Sequence, residues 1–136
     1  MPCQRGATAT LGGKPHALGG TFYEPTILTG VTADMLCARE ETFGPVAPLF
    51  RFGSEDEAVR MANDTIYGLI GYVFGEESLA LRVALRIDAG MVGVNKGVLS
   101  DPAAPFGGTK QSGLGREGSS EGILEYLEEK YIGMAP

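Results

Sequence analysis

The sequence predicts an α/β protein, with a mainly parallel, layered sheet and flanking helices. Three observations predict it. From residue 46 onward the apolar patterning alternates strand, helix, strand, helix, strand, loop, helix, strand. A capping box opens the central helix at Ser54. The 21 glycines cluster at the joints between these segments, as turns and close backbone approaches require.

Residues 1–20 read as an irregular, turn-rich lead-in. Residues 22–28 read as a strand, and Pro25 makes it an edge or a bulged one. Residues 32–36 suit a short helical turn capped by Thr32. Residues 46–52 form a strand, again at an edge because of Pro48. The Ser54 hydroxyl can accept from the Glu57 N–H while the Glu57 carboxylate reaches back, so a helix runs to about Asn63. Residues 66–74 follow as a strand. A helix over 77–89 turns Leu81, Leu85 and Ile87 inward and stops at Gly90. Residues 91–95 are a short buried strand. Ser119 and Ser120 cap a third helix through Leu127, and residues 130–134 make a final strand.

Composition excludes several classes. At 43% hydrophobic and 21% charged, the chain has enough apolar surface to fold. Its net charge of −6 and scattered Lys and Arg predict no nucleic-acid partner. No apolar run approaches the roughly 20 residues of a membrane span. Cys3 and Cys37 are too few and too far apart for a disulfide framework, and read as reduced thiols of a cytoplasmic protein. His16 has no convergent partner and reads as a surface residue, so no metal site is expected.

Three stretches are candidates for chemistry. Gly113, Gly115 and Gly118 match G-x-G-x-x-G, but turn residues precede them and no ribose-binding acid can follow in a second strand, so the match reads as chance. The run from Glu40 to Pro45 is either a solvated acidic turn whose Phe43 plugs the core, or a carboxylate that accepts from a sugar diol beside a ring that packs on a flat cofactor. The loop after Asn95 leaves a strand end, where α/β proteins place ligands, or is an ordinary surface connection.

Several motifs, taken together and in this order, carry a resemblance. They are Glu40-Glu41-Thr42-Phe43-Gly44-Pro45; Asn63 with Tyr67-Gly68-Leu69; Gly90-Met91-Val92-Gly93-Val94-Asn95; and Pro105-Phe106-Gly107-Gly108-Thr109-Lys110-Gln111-Ser112-Gly113. From about Gly12 onward the chain resembles the aldehyde dehydrogenase superfamily, and within it the succinate-semialdehyde dehydrogenases. The resemblance implies that residues 1–128 are the C-terminal part of the catalytic domain and that 129–136 hold the oligomerisation strand, which pairs with a partner subunit in a homo-oligomer.

It also implies roles. Glu41 would hold the nicotinamide-ribose hydroxyls of NAD or NADP, and Phe43 would pack against the nicotinamide end. Phe106 would wall the aldehyde tunnel. Ser100 would donate to the distal carboxylate of a semialdehyde, where an aromatic would favour an apolar substrate. Glu117 matches a buried acid of a proton relay. The family's nucleophilic cysteine, general-base glutamate and Gly-rich cofactor fold lie upstream of the matching part, so no catalytic residue is assigned here. Neither Cys3 nor Cys37 lies in a nucleophile-like loop. The expectation is therefore part of an NAD(P)-dependent enzyme oxidising succinate semialdehyde to succinate, inactive alone. The alternative is a non-catalytic protein that docks on full-length subunits through its C-terminal strand.

Overall fold

The computed structural model describes residues 6–136 and resolves two compact units, the first ending at Gly53 and the second spanning Ser54–Pro136. The first unit carries β1 (Thr8–Leu11), β2 (Thr26–Thr29), α1 (Leu36–Arg39) and β3 (Val46–Pro48). They form one sheet in the order β1-β2-β3, with β1 antiparallel and β3 parallel to β2. Ala7, Leu28, Val31 and Met35 make its core, with Ala9, Cys37, Val46 and Phe50 packed against them.

Four expectations shift here. The lead-in is not irregular throughout, because the Thr-rich segment of β1 finds a partner strand in β2. The strand expected at 22–28 begins only at Thr26, beyond Pro25, which has no N–H to give to a ladder. The helical turn expected at 32–36 forms one turn later, and the Thr32 carbonyl accepts from Met35 ahead of it. The strand expected at 46–52 stops at Pro48, which lies at the sheet edge as its missing donor predicts.

The second unit contains α2 (Glu55–Asn63), β4 (Tyr67–Gly68), β5 (Ile70–Val73), α3 (Glu77–Ala84), β6 (Met91–Val94), β7 (Thr109–Lys110) and a 3-10 helix at Gly122–Tyr126. Ser54 Oγ accepts from the Glu57 N–H at 3.2 Å and starts α2 as expected. β5 and β6 run parallel, Ile70 opposite Met91 and Val73 opposite Val94, and α3 crosses between them and packs on both. β4 pairs antiparallel with β7.

The single strand expected at 66–74 is thus two strands in different sheets. The sheet is not mainly parallel either: among the described residues there are three small sheets, with two parallel and two antiparallel pairings. The buried face of α3 is also not the leucine one. Ala80 and Ala84 face inward, while Leu81 is exposed and Leu85 is 81% exposed. Alanines four apart let the helix lie close to the β5–β6 pair, and this turns the leucines outward. The third helix is a short 3-10 segment that starts after Glu121 rather than after a serine; Ser119 Oγ donates to the Glu121 carboxylate and accepts from the Glu121 N–H. No strand forms at 130–134. Tyr131, Ile132 and Met134 are exposed, and a segment with no neighbouring strand cannot satisfy its backbone as a ladder. No described helix is long and apolar enough to cross a membrane.

Glu76 caps α3 in place of a hydroxyl residue. Its carboxylate accepts from Ser78 Oγ at 2.6 Å and from the Ser78 and Leu79 N–H groups. The Ser78 hydroxyl first, then those amides, hold its carboxyl below the ordinary value of 4.5. A depressed folded-state value stabilises above the ordinary value, and that contribution fades as pH falls through the folded one. Glu76→Gln is expected to melt below the wild type at pH 7, and the gap is expected to shrink as the pH falls through and below the ordinary carboxylate range. Thermal melts from neutral pH down into the acid range check this; a gap that does not change with pH would refute it.

Candidate functional site

In the first unit, Glu41 and Phe43 lie on the loop between α1 and β3. The loop's base is tied down. Glu40 N–H donates to Leu36 O at 2.7 Å, Arg39 Nε to Ala33 O at 2.9 Å, and Thr26 N–H to Pro45 O at 2.8 Å. Beneath it Thr26 is buried, its Oγ1 donating to Glu24 O and accepting from Gly13 N–H, both at 2.8 Å. The tip is open. Glu41 is exposed, and Phe43, at 93% exposure, does not plug the core. An acceptor-only carboxylate beside an uncovered ring suits a diol next to a flat heteroaromatic group.

Cys37 is a free, half-buried thiol packed against the first unit's core, a poor position for a nucleophile. Cys3 lies outside the described residues. His16 is exposed, as expected, and its Nδ1 accepts from the Leu18 N–H. No group of three or more potential metal ligands converges among the described residues.

The second unit brings Phe106 and Glu117 together. They form an isolated antiparallel bridge, Phe106 N–H donating to Glu117 O at 2.8 Å and Glu117 N–H to Phe106 O at 2.7 Å. Both line a cavity of about 910 Å³, shared with Ser112, Arg116, Glu125 and Tyr126 among others. Glu117 is exposed, which corrects the expectation of a buried relay acid: the bridge uses its backbone and leaves the carboxylate in solvent. Ser100 is exposed on the preceding loop and does not line that cavity. The G-x-G-x-x-G match opens no α-helix. Gly113, Gly115 and Gly118 all have positive φ and form turns.

Phe106 sits where it does because glycines let backbones touch. A Cβ on Gly90 would overlap the Gly107 carbonyl oxygen and come within 2.8 Å of Gly108 Cα. One on Gly108 would meet Ser112 Cβ at 2.7 Å and Gly68 O at 3.2 Å. Gly90 N–H donates to Gly68 O at 2.9 Å, and Ser112 Oγ accepts from Gly68 N–H at 2.9 Å.

Sequence reasoning passed over the side chains that brace this contact. Asn63 donates through Nδ2 to Arg86 O and accepts from Asp88 N–H through Oδ1, both at 2.8 Å. Lys110 Nζ pairs with Asp88 at 2.8 Å and donates to the Asn63 and Thr65 carbonyls. Asn95 exchanges two 2.9 Å bonds with the Gly75 backbone. All three stand inside motif stretches already quoted, and that placement was the available signal.

Comparison with known proteins identifies the family and the fold. The model of the aldehyde dehydrogenase family matches residues 3–132. The chain is 57% identical over 129 residues to mitochondrial succinate-semialdehyde dehydrogenase of Rattus norvegicus, covering 94% of this chain and 25% of that one. It is 57% identical over 130 residues to 3-sulfolactaldehyde dehydrogenase of Pseudomonas putida, covering 95% and 27%. It superposes with a TM-score of 0.91 on betaine aldehyde dehydrogenase of Staphylococcus aureus in complex with NAD+, at 43% identity, covering 96% of this chain and 27% of that one. The chain spans about a quarter of the length of the relatives it matches.

Gly90→Ala is expected to destabilise the second unit by about 3 kcal/mol, since the added methyl meets backbone on both sides. Urea unfolding measures the loss. A change below about 0.5 kcal/mol would show that the glycine contact is dispensable.

Proposed function

As the chain belongs to the aldehyde dehydrogenase family, whose members are NAD(P)-dependent oxidoreductases acting on aldehydes, we propose that it is the C-terminal portion of an enzyme that oxidises succinate semialdehyde to succinate. The observation that carries the reading is the pair on the first unit's loop. Glu41 accepts no hydrogen bond and makes no ion pair among the described residues, and Phe43 is bare. An unengaged acceptor next to an unengaged ring fits the ribose and nicotinamide end of NAD or NADP, which when bound supplies the hydride acceptor. Glu41 would take the ribose hydroxyls and Phe43 would restrict the nicotinamide end.

Ser100 and Phe106 are the proposed substrate contacts. An O–H donor on an exposed loop favours a semialdehyde with a distal carboxylate, and the Phe106 ring would wall the path to the reacting carbon. Similarity to succinate-semialdehyde dehydrogenases supports that acid end, and the equal similarity to a sulfolactaldehyde enzyme supports an anionic end in general. The reacting cysteine and the base would come from elsewhere in the parent. A homo-oligomer in the cytoplasm completes the proposal, with residues 129–136 pairing across subunits. The exposed Tyr131, Ile132 and Met134 favour that pairing, and equally favour docking on another dehydrogenase subunit.

In a full-length dehydrogenase carrying this sequence, Ser100→Ala should raise the KM for succinate semialdehyde about tenfold and leave that for an uncharged aldehyde unchanged. Glu41→Gln should raise the cofactor KM by about tenfold or more. Absorbance of the reduced nicotinamide reads both. An equal effect of Ser100→Ala on both aldehydes would rule out the carboxylate contact. The 136-residue chain alone should give no reduced cofactor, and turnover by it would overturn the division of labour proposed here.

A further inference from the structure

We infer that Arg116 is a positioning residue for Phe106. The inference rests on the reading of Phe106 as a wall of the aldehyde path. Phe106 and Glu117 are joined by only two hydrogen bonds, with no ladder continuing on either side. Gly107 and Gly108 follow Phe106, and Gly115 and Gly118 stand close on either side of Glu117, so these positions offer no side chains with which to hold the bridge. Gly115 and Gly118 adopt positive φ, so the segment keeps the conformational freedom that makes glycine loops costly to order.

Arg116 closes the gap. Its Nη1 donates to Gly108 O at 2.8 Å and to Gly115 O at 2.7 Å, so one guanidinium nitrogen bridges both arms of the loop. Charged donors of this kind are stronger than neutral ones. The side chain lies over the face that Gly107 leaves open: a Cβ there would come within 2.8 Å of Arg116 Cδ and 3.2 Å of Nη1. From its other end, Arg116 N–H donates to Glu125 Oε1 at 3.2 Å, which ties the same residue to the 3-10 helix. Arg116 thus acts through the backbone just after Phe106 on one arm and just before Glu117 on the other, and touches no reacting atom in this role.

The test uses a full-length dehydrogenase carrying this sequence, with Arg116→Met, which keeps bulk but has no donor, and Arg116→Lys, which keeps a charged donor. Two readouts are combined: amide exchange at Phe106 and Glu117 against that at Met91 and Asn95, whose N–H groups bond Leu69 and Val73, and the aldehyde KM against the cofactor KM. The Met variant is expected to exchange about tenfold faster at Phe106 and Glu117 alone, and to raise the aldehyde KM about tenfold with the cofactor KM unchanged. The Lys variant is expected to recover most of both. Unchanged exchange at the two bridge amides would overturn the inference, and so would an equal acceleration at Met91 and Asn95. Faster bridge exchange with an unchanged aldehyde KM would support the clamp and overturn the assignment of Phe106 to the aldehyde path.

Discussion

Around Gly68, Gly90, Gly107 and Gly108, backbone packs against backbone with no side chain between, and the layout of residues 54–136 depends on that contact. It joins the start of β6 to the loop that carries Phe106. Gly90 reaches the Gly68 carbonyl, Gly68 is held by the Ser112 hydroxyl, and β7 pairs with β4 next to them. Even one methyl group at Gly90 has no place to go, because its neighbours are main-chain atoms that cannot swing aside. A small sheet and a glycine loop therefore share one dense region without a large apolar core. Among the described residues of this unit, only Val59, Ala80 and Ala84 are buried hydrophobics.

With so little apolar burial, polar groups that tie side chain to backbone do much of the positioning. Asn63 and Asn95 each exchange a donor and an acceptor with main chain, Lys110 spans two carbonyls and a carboxylate, and Arg116 spans two more carbonyls. These residues satisfy backbone atoms at the ends of elements, where no ladder or helix can. The charged cluster linking α2 to α3 is different in kind. Glu55 accepts from Arg82 and Arg86, and Arg86 also reaches Asp56, all at the surface. Solvent screening makes such pairs weak fasteners, so they set the approach of two helices more than they stabilise it.

The first unit divides its work between a buried base and a free tip. Met35, Leu28 and Val31 pack beneath the sheet, and Thr26 satisfies two loops from a buried position. The loop to β3 is anchored at both ends and presents Glu41 and Phe43 outward. Exposure of a whole phenylalanine ring is a cost to an isolated fold, and a bound flat group or covering chain would remove it.

Much of this was legible in residue order. The capping box at Ser54 starts its helix because a hydroxyl and three acids act within one turn, and Pro48 marks an edge because it has no N–H. The strand at Met91–Val94 and the ordered motifs around Glu41, Asn63, Gly90 and Phe106 were also readable, since local chemistry defines them. Tertiary contact decided the rest. Leu81 and Leu85 point outward because Ala80 and Ala84 admit the closer helix approach, and apolar spacing cannot weigh size against distance. Residues 66–74 split because Gly68 and Ile70 find different partner strands. Residues 130–134 form no strand because a strand exists only where another offers its edge. Sequence alone determined the family, the Ser54 cap and the glycine turns, since each depends on a few adjacent residues. The exposure of Glu117, the face of α3 and the reach of Arg116 depend on how folding brings segments together, and those distances are not written in any single stretch of the chain.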